Sequence, residues 1–337
     1  MKNKLSFILA AGLSVSGFAA FAQSSTATLN QKANTSTSKI EDLKKPTEKK
    51  KDIDDEITDA RMRATLGSKS NWSFKSALTY SGGSLQMPLE TVRPAYRTSA
   101  EDERLAVLSG TVGINYRATD RDNISFGTGL SIVDPLHGDI TKPAIDKTSD
   151  GGGETTARYR VATPYVGWSR GYKVLGVQNI SSATYSLVTD EQDVKKGYHS
   201  SVSLGQTVLA NFGTTKWNGG ASFSLSKSLY SDTIANKAFE AALNAGTKTR
   251  SEWGFGIYPF LQYAFNDTYS FRTVFGYADF EQKQYASSAI QIEPYQSVGI
   301  GISVTRDIYL YPSVQFTPKD IRDDRTNVGI ATNINLF

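Results

Sequence analysis

From Asn71 to Phe337 the chain alternates apolar and small polar residues with period two, in about twelve stretches of about ten residues each. Successive side chains of a β-strand point to opposite faces, so each stretch makes a ribbon with one apolar and one polar side. In the first, Trp72, Phe74, Leu78 and Tyr80 alternate with Ser73, Lys75, Ala77 and Thr79. The third sets Ile124, Phe126, Leu130 and Ile132 against Ser125, Gly127, Gly129 and Ser131. The tenth sets Val298, Ile300, Ile302 and Val304 against Ser297, Gly299, Gly301 and Ser303. The fourth to sixth are less regular. Long polar connections near 82–103, 134–154 and 231–250 alternate with short ones near 117–123, 169–173, 210–216, 266–268 and 306–307. Ribbons of this length, with long loops at one end and tight turns at the other, predict a transmembrane antiparallel up-and-down β-barrel. A soluble sandwich has no reason to sort its loops by length.

A barrel wall needs apolar residues only at alternate positions, so a hydrophobic content of 39% is compatible with a membrane location. The chain has no cysteine, so the closed ladder of a barrel, which leaves no open edge, must supply the stability. Lys2 and Lys4, the apolar run Leu5–Phe18 and the small-x-small triplet Ala20-Phe21-Ala22 predict a signal peptide over 1–22. Without Lys2 and Lys4 the formal charge falls from +4 to +2, which argues against a nucleic-acid partner. Residues 23–70 read as a polar and charged linker. Ile53, Ile57 and Ala60 fall on one side of a short helix within Lys49–Leu66. That segment is either a solvated periplasmic tail, a helix that enters or caps the barrel mouth, or a partner-binding arm.

Aromatics on the apolar faces gather at strand ends. Trp72, Tyr116, Trp217 and Tyr269 fall near one interface, and Tyr80, Trp253 and Tyr277 near the other. Paired girdles are expected where amphipathic rings sit at headgroup depth. Pro259, Pro294 and Pro312 lie inside strands and predict local interruptions of the ladder.

Alternation, loop asymmetry, girdles and the terminal Phe337 together resemble Gram-negative outer-membrane β-barrel proteins of porin-like type, over the signal peptide and residues 71–337. The resemblance implies export to the outer membrane. It also implies contact with outer-membrane lipids and the barrel assembly machinery, and recognition of Phe337 as the end of the last strand. Asn333 and Asn335 share a face with Phe337, whereas Val328, Ile330, Ile334 and Leu336 take the other.

The polar faces are rich in Ser, Gly, Asn and Thr, which leave space, whereas small closed barrels fill their interiors with side chains. The expected function is a passive channel for small hydrophilic solutes. Lys75, Arg158, Arg160 and Arg272 are the basic pore-lining candidates, opposed by Glu252 and Glu293. A non-channel barrel serving envelope integrity, adhesion or partner binding is the alternative. An enzyme is not expected, and neither a cofactor nor a metal site is predicted. His199 and Ser201 share a strand face, as in outer-membrane phospholipases, but that face is the polar one and nothing orients the histidine. Asp134, His137 and Asp139 lie in a long loop, as in omptin-like proteases, but those barrels have ten strands. A homo-oligomer is compatible with the pattern.

Overall fold

A computed structural model describes residues 52–97, 103–145, 155–246 and 248–336. The signal peptide, the linker up to residue 51 and Phe337 lie outside the described residues. Twelve strands form the wall. They are β1 (Trp72–Ser84), β2 (Val107–Arg117), β3 (Asp122–Val133), β4 (Tyr159–Val174), β5 (Val177–Leu187) and β6 (Tyr198–Asn211). The second half comprises β7 (Trp217–Tyr230), β8 (Ser251–Ala264), β9 (Tyr269–Gly276), β10 (Tyr295–Ser303), β11 (Ile308–Phe316) and β12 (Asn327–Leu336). Beyond Tyr277, Ala278–Lys283 continues β9, and Ala289–Gln291 leads into β10. Each strand pairs antiparallel with its neighbour in sequence, and β12 pairs with β1, which closes the barrel.

The predicted alternation decides which side faces out. Phe74, Ile114, Phe126, Leu204, Ile330 and Leu336 are among the exposed exterior residues. An apolar surface of this extent needs lipid, not water. Among the described residues no helix is long and apolar enough to cross a membrane. In β12, Asn327, Asn333 and Asn335 are buried in the interior while Ile330 and Leu336 face out, so the last strand is in the register its aliphatic residues indicate.

One turn differs from expectation. Residues 169–173 continue β4, and the chain reverses at Leu175-Gly176. Both residues have positive φ, 50° and 84°, the two-residue turn whose twist matches a hairpin. The three strand prolines sit at lapses in the ladder. Pro259 falls between the pairings of β8 with β9 and with its continuation. Pro294 separates Ala289–Gln291 from β10. Beside Pro312, the β10–β11 pairing skips from Gly299↔Ser313 to Ile302↔Leu310. A missing N–H costs least where no bond is due.

Two short helices, α1 (Ile53–Glu56) and α2 (Ala60–Leu66), precede β1. Asp52 and Asp59 cap them, each accepting a bond from a backbone N–H of the first turn. They are not solvated. Ile53, Ile57, Met62 and Leu66 form one cluster with Ile180, Leu209, Phe260 and Val274, which point inward from β5, β6, β8 and β9. The segment is a plug inside the barrel. Outside the wall proper, α3 (Glu191–Lys195) and α4 (Lys237–Asn244) lie in connections at the long-loop end.

Candidate functional site

The plug is seated by three kinds of contact. Its apolar side meets the ring of inward aliphatic and aromatic residues just named, and Ile57 and Met62 are at most 1% exposed. Leu66 and Ile53 lie against Gly171 of β4, where an added Cβ would come 2.5 Å from Leu66 Cδ1. Ala60 and Ala64 pack on Tyr309 and Tyr311 of β11.

Polar contacts fix its register. Gln178 of β5 accepts from the Asp59 N–H at 3.1 Å and donates to Thr58 Oγ1 at 3.1 Å. Lys75 Nζ of β1 donates to the Thr65 carbonyl at 2.7 Å, and Asn335 Nδ2 of β12 donates to the Ala64 carbonyl at 2.7 Å. Lys75 and Asn335 are themselves paired in register across the β1–β12 seam. Arg61 of the plug lies 6.0 Å from the Tyr309 ring, and Arg272 of β9 lies 4.0 Å from the Phe260 ring and donates to Gln262 at 3.2 Å. The Asp59 carboxyl lies within electrostatic reach of both arginines.

Ion pairs hold the plug at the short-turn mouth. Arg306, in the β10–β11 turn, donates to both Asp54 oxygens at 2.9 Å and to the Gly67 carbonyl at 2.9 Å. Lys69 pairs with Asp52 at 2.6 Å and Asp54 at 2.9 Å, and Arg121 of the β2–β3 turn pairs with Glu56. Burial alone would raise the Asp54 pKa, but Arg306 and Lys69 outweigh it and hold the carboxyl below its ordinary value. The hydrogen bond from Lys69 does the same for Asp52. A polar cleft of about 470 Å³, lined by Asp52, Lys69, Arg117 and Asp120 among others, opens beside this latch. Gly67 ends the plug with φ 107°, and a Cβ there would meet Asn115 Nδ2 at 2.6 Å. Only glycine suits that position.

Above the plug the lumen changes character. Cross-strand rows place Ser182 beside Gly205 and Ser224, and Thr184 beside Ser203 and Ser226, all on the inner face of β5, β6 and β7. Ser182, Thr184, Ser224 and Ser226 are partly accessible, whereas Gln178, Leu209, Gln262, Tyr309 and Tyr311 at plug level are at most 2% exposed. At the long-loop end, Arg97 pairs with Asp279 and sits 4.7 Å from the Tyr295 ring. Tyr96 meets Tyr295 edge-on at 6.0 Å and its carbonyl accepts from Thr317. The first long loop is thereby folded against the wall.

The six charged candidates do not form a ring. Lys75 and Arg272 face the lumen, at plug level. Arg158 binds Asp134 at 3.0 Å and the His137 carbonyl, within the loop. Arg160 pairs with Asp190 at 3.3 Å, Glu252 with Lys227 at 3.6 Å and Glu293 with Lys319 at 3.2 Å. Trp72 and Tyr116 stack at 4.7 Å on the exterior of the short-turn end, and Trp217 meets Tyr263 at 4.9 Å; Tyr269 is exposed at the same end. Toward the other end, the Lys227 ammonium lies 4.5 Å from the Trp253 ring and Tyr277 is exposed. Tyr80 is half-buried there. His199 sits at a register shift in β6, and its Nδ1 contacts Ser200 Oγ at 3.0 Å rather than Ser201. His137 Nδ1 contacts Asp134 at 2.7 Å. Among the described residues no group of His, Cys, Asp and Glu has the makings of a metal site.

The inward aromatics and the plug contacts escaped the sequence reading. One signal was available. Strand β11 reads Ile308-Tyr309-Leu310-Tyr311, apolar on both faces, and Tyr258, Phe260 and Val274 do the same on β8 and β9. A barrel strand that is apolar on its inner face has something other than water to cover there.

The closed antiparallel wall and its lipid-type exterior put the chain in the class of membrane β-barrels. No family model matches it, and no curated protein matches it. Among solved structures it is similar to an outer membrane channel from Pseudomonas putida F1, with a TM-score of 0.49 and 10% identity over 80% of this chain and 98% of that one. OmpF of Salmonella typhi, in complex with daunomycin, gives 0.34 and 9% over 81% and 98%. The toluene transporter TodX of Pseudomonas putida gives 0.35 and 13% over 80% and 78%. At these values the likenesses carry neither a solute nor a mechanism to this chain.

Proposed function

We propose that the chain is an outer-membrane channel for small hydrophilic solutes, closed by its own N-terminal segment. The observation that carries the reading is how the lumen is filled. A barrel that serves only as a stable wall fills its interior from the wall itself. Here the wall supplies Ser, Gly and Thr on β5 to β7, and a separate segment, joined through Gly67, supplies the stopper. Uncharged hydroxyls and glycines form a wet surface with little preference for either sign of charge, which suits neutral polar solutes.

The competing reading, a barrel with no transport role, rests on the same sealed plug layer. Planar-bilayer recordings separate the two. The mature chain should be quiet or nearly so. A chain of residues 71–337 and the full-length Ile57→Asp variant should both conduct in steps. A cysteine pair at Leu66 and Gly171, which lie against each other across the plug–wall contact, should keep the full chain closed until it is reduced. Silence from every form would end the channel reading.

A further inference from the structure

We infer that the wall around Asp279 is a binding site for a guanidinium group, filled by the chain's own Arg97 until a small hydrophilic solute carrying that group takes its place. The wall half of the site comes from three strands. Asp279, on the continuation of β9, pairs with Gly256 of β8, on the face that carries Tyr258 and Phe260 into the lumen. Tyr295 of β10 shares the inward face of Ser297, whose hydroxyl meets Tyr311 at 3.2 Å. Tyr258 packs on the plug cluster below, and its hydroxyl interacts with Ser224 and Asp279. The site therefore stands in the lumen, just above the plug. Glycine shapes it: a Cβ at Gly276 would collide with the Tyr295 ring, and one at Gly256 with the Tyr258 ring. Without those Cβ atoms both rings rest against the backbone and leave room in front for a flat group.

The occupant shows which chemistry fits. Arg97 Nη2 pairs with Asp279, and the guanidinium carbon lies 4.7 Å from the centre of the Tyr295 ring. A planar cation that stacks on a ring and meets a carboxylate along its edge suits this slot better than a compact ammonium does. The fit of Arg97 itself is incomplete. One of its nitrogens reaches Asp279, while its Nε is shut away from water and has no hydrogen-bond partner among the described residues. A guanidinium free of the loop can turn both nitrogens of one edge onto the carboxylate.

The origin of the partner marks Arg97 as replaceable. Other acidic residues of this part of the wall are neutralised from the wall itself: Glu281 by Lys283 at 2.5 Å and Glu252 by Lys227 at 3.6 Å. Asp279 is only 8% exposed, yet its one ion-pair partner among the described residues comes from a loop 182 positions away. Loop departure alone would leave a buried carboxylate bare, so the loop leaves only in exchange for another cation. Arg93 and Arg104, opposed in register on the same loop, repel each other and withdraw with it. The hydroxyl-lined storey has little preference for charge, so selection falls to this site. The inference goes beyond the channel reading and stands without it, because binding here requires no conduction.

The test uses the full mature chain in lipid nanodiscs, with free arginine, lysine and citrulline as probes, read by calorimetry. Citrulline keeps the shape of arginine without its charge. Arginine should bind saturably, lysine at least tenfold more weakly and citrulline not at all. A tethered side chain competes at an effective concentration on the order of millimolar, so Arg97→Ala should bind arginine at least tenfold more tightly than the wild type. Asp279→Asn should abolish binding while heat-modifiable gel mobility shows the barrel still folded; if it does not fold, Arg97→Ala, a loop substitution, decides alone. The chain has no cysteine, so Ala95→Cys, at a position only 6% exposed, should react with a maleimide faster when arginine is added and not when citrulline is. Arginine binding that is absent from both wild type and Arg97→Ala, or no tighter in Arg97→Ala, would overturn the inference and leave the pair a fixed clamp. So would equal binding of all three probes, or binding that survives in folded Asp279→Asn.

Discussion

The lumen has two storeys built from the same alternating strands. At plug level the inward residues are large, Phe260, Gln262, Arg272, Tyr309 and Tyr311, and none is more than 4% exposed. Above it, on β5 to β7, the inward residues are Ser, Thr and Gly, of which Ser182, Thr184, Ser224 and Ser226 remain partly accessible. A Cβ at Gly254 would meet only Ser226 Oγ, at 2.7 Å, whereas one at Gly301 would run into Tyr309 and Ser270. Glycine therefore has different neighbours in the two regions: a single hydroxyl in one, side chains packed in place in the other. Sealing and openness are separated along the barrel axis, and the sealed storey is the one that depends on a removable segment.

The sharpest way to break this contrast is to charge the plug. Ile57→Asp buries a carboxylate among Ile180, Leu209 and Phe260, an uncompensated charge that costs at least about 3 kcal/mol of seating energy. Protease should then cut within 53–66 while the wall keeps its gel mobility. A protected plug would show that the sealed storey has polar relief not described above. Next comes a paired substitution on the wall. Gly301→Arg overpacks the region beside Tyr309 and should destabilise folding by about 1–3 kcal/mol. Ser226→Arg enters the open storey and should stay within about 0.5 kcal/mol of wild type in urea unfolding. Equal costs would erase the distinction between the storeys.

The smallest effect is expected at the latch. Asp54 is partly exposed, so Asp54→Asn should weaken plug seating by about 0.2–1 kcal/mol. The pH dependence has a definite sign. The seated plug lowers the pKa of Asp54 and Asp52 relative to the free segment. Their contribution is therefore complete above the ordinary value of 3.8 and is lost as pH falls through the lower seated values. Acid below pH 3.8 should raise plug accessibility in the wild type and much less in Asp54→Asn. A latch insensitive to acid would place the holding energy wholly in the apolar contacts.

Much of the wall was legible in the sequence because period-two alternation with one lipid face allows a single register per strand. The closed barrel and the two ends of the loops follow from that pattern alone. Strands β4 to β6 were harder to read for a reason that matters: Asn179, Ser181 and Gln206 put polar residues on the outer face and blur the alternation. The plug was half legible. Ile53, Ile57 and Ala60 pointed to an apolar face, but a charged sequence gives no sign of what covers that face. The capping aspartates Asp52 and Asp59, and the break after Glu56, are visible only once the helices are placed. Interior charge was the least legible feature, since Arg158, Arg160, Glu252 and Glu293 each find a partner that is distant or ambiguous in the chain.

The pairing of Lys75 with Asn335 gives the plug a part in assembly. These residues face each other across the only join in the wall between the first strand and the last, and they grip adjacent plug carbonyls, Thr65 and Ala64. An unclosed barrel offers one of these anchors at a time, spread apart. Seating the plug and closing the ring therefore favour each other: each lowers the free energy of the other by the same amount. A ring that opens must first loosen its stopper, so the segment that blocks the passage also works as a clasp on the hoop.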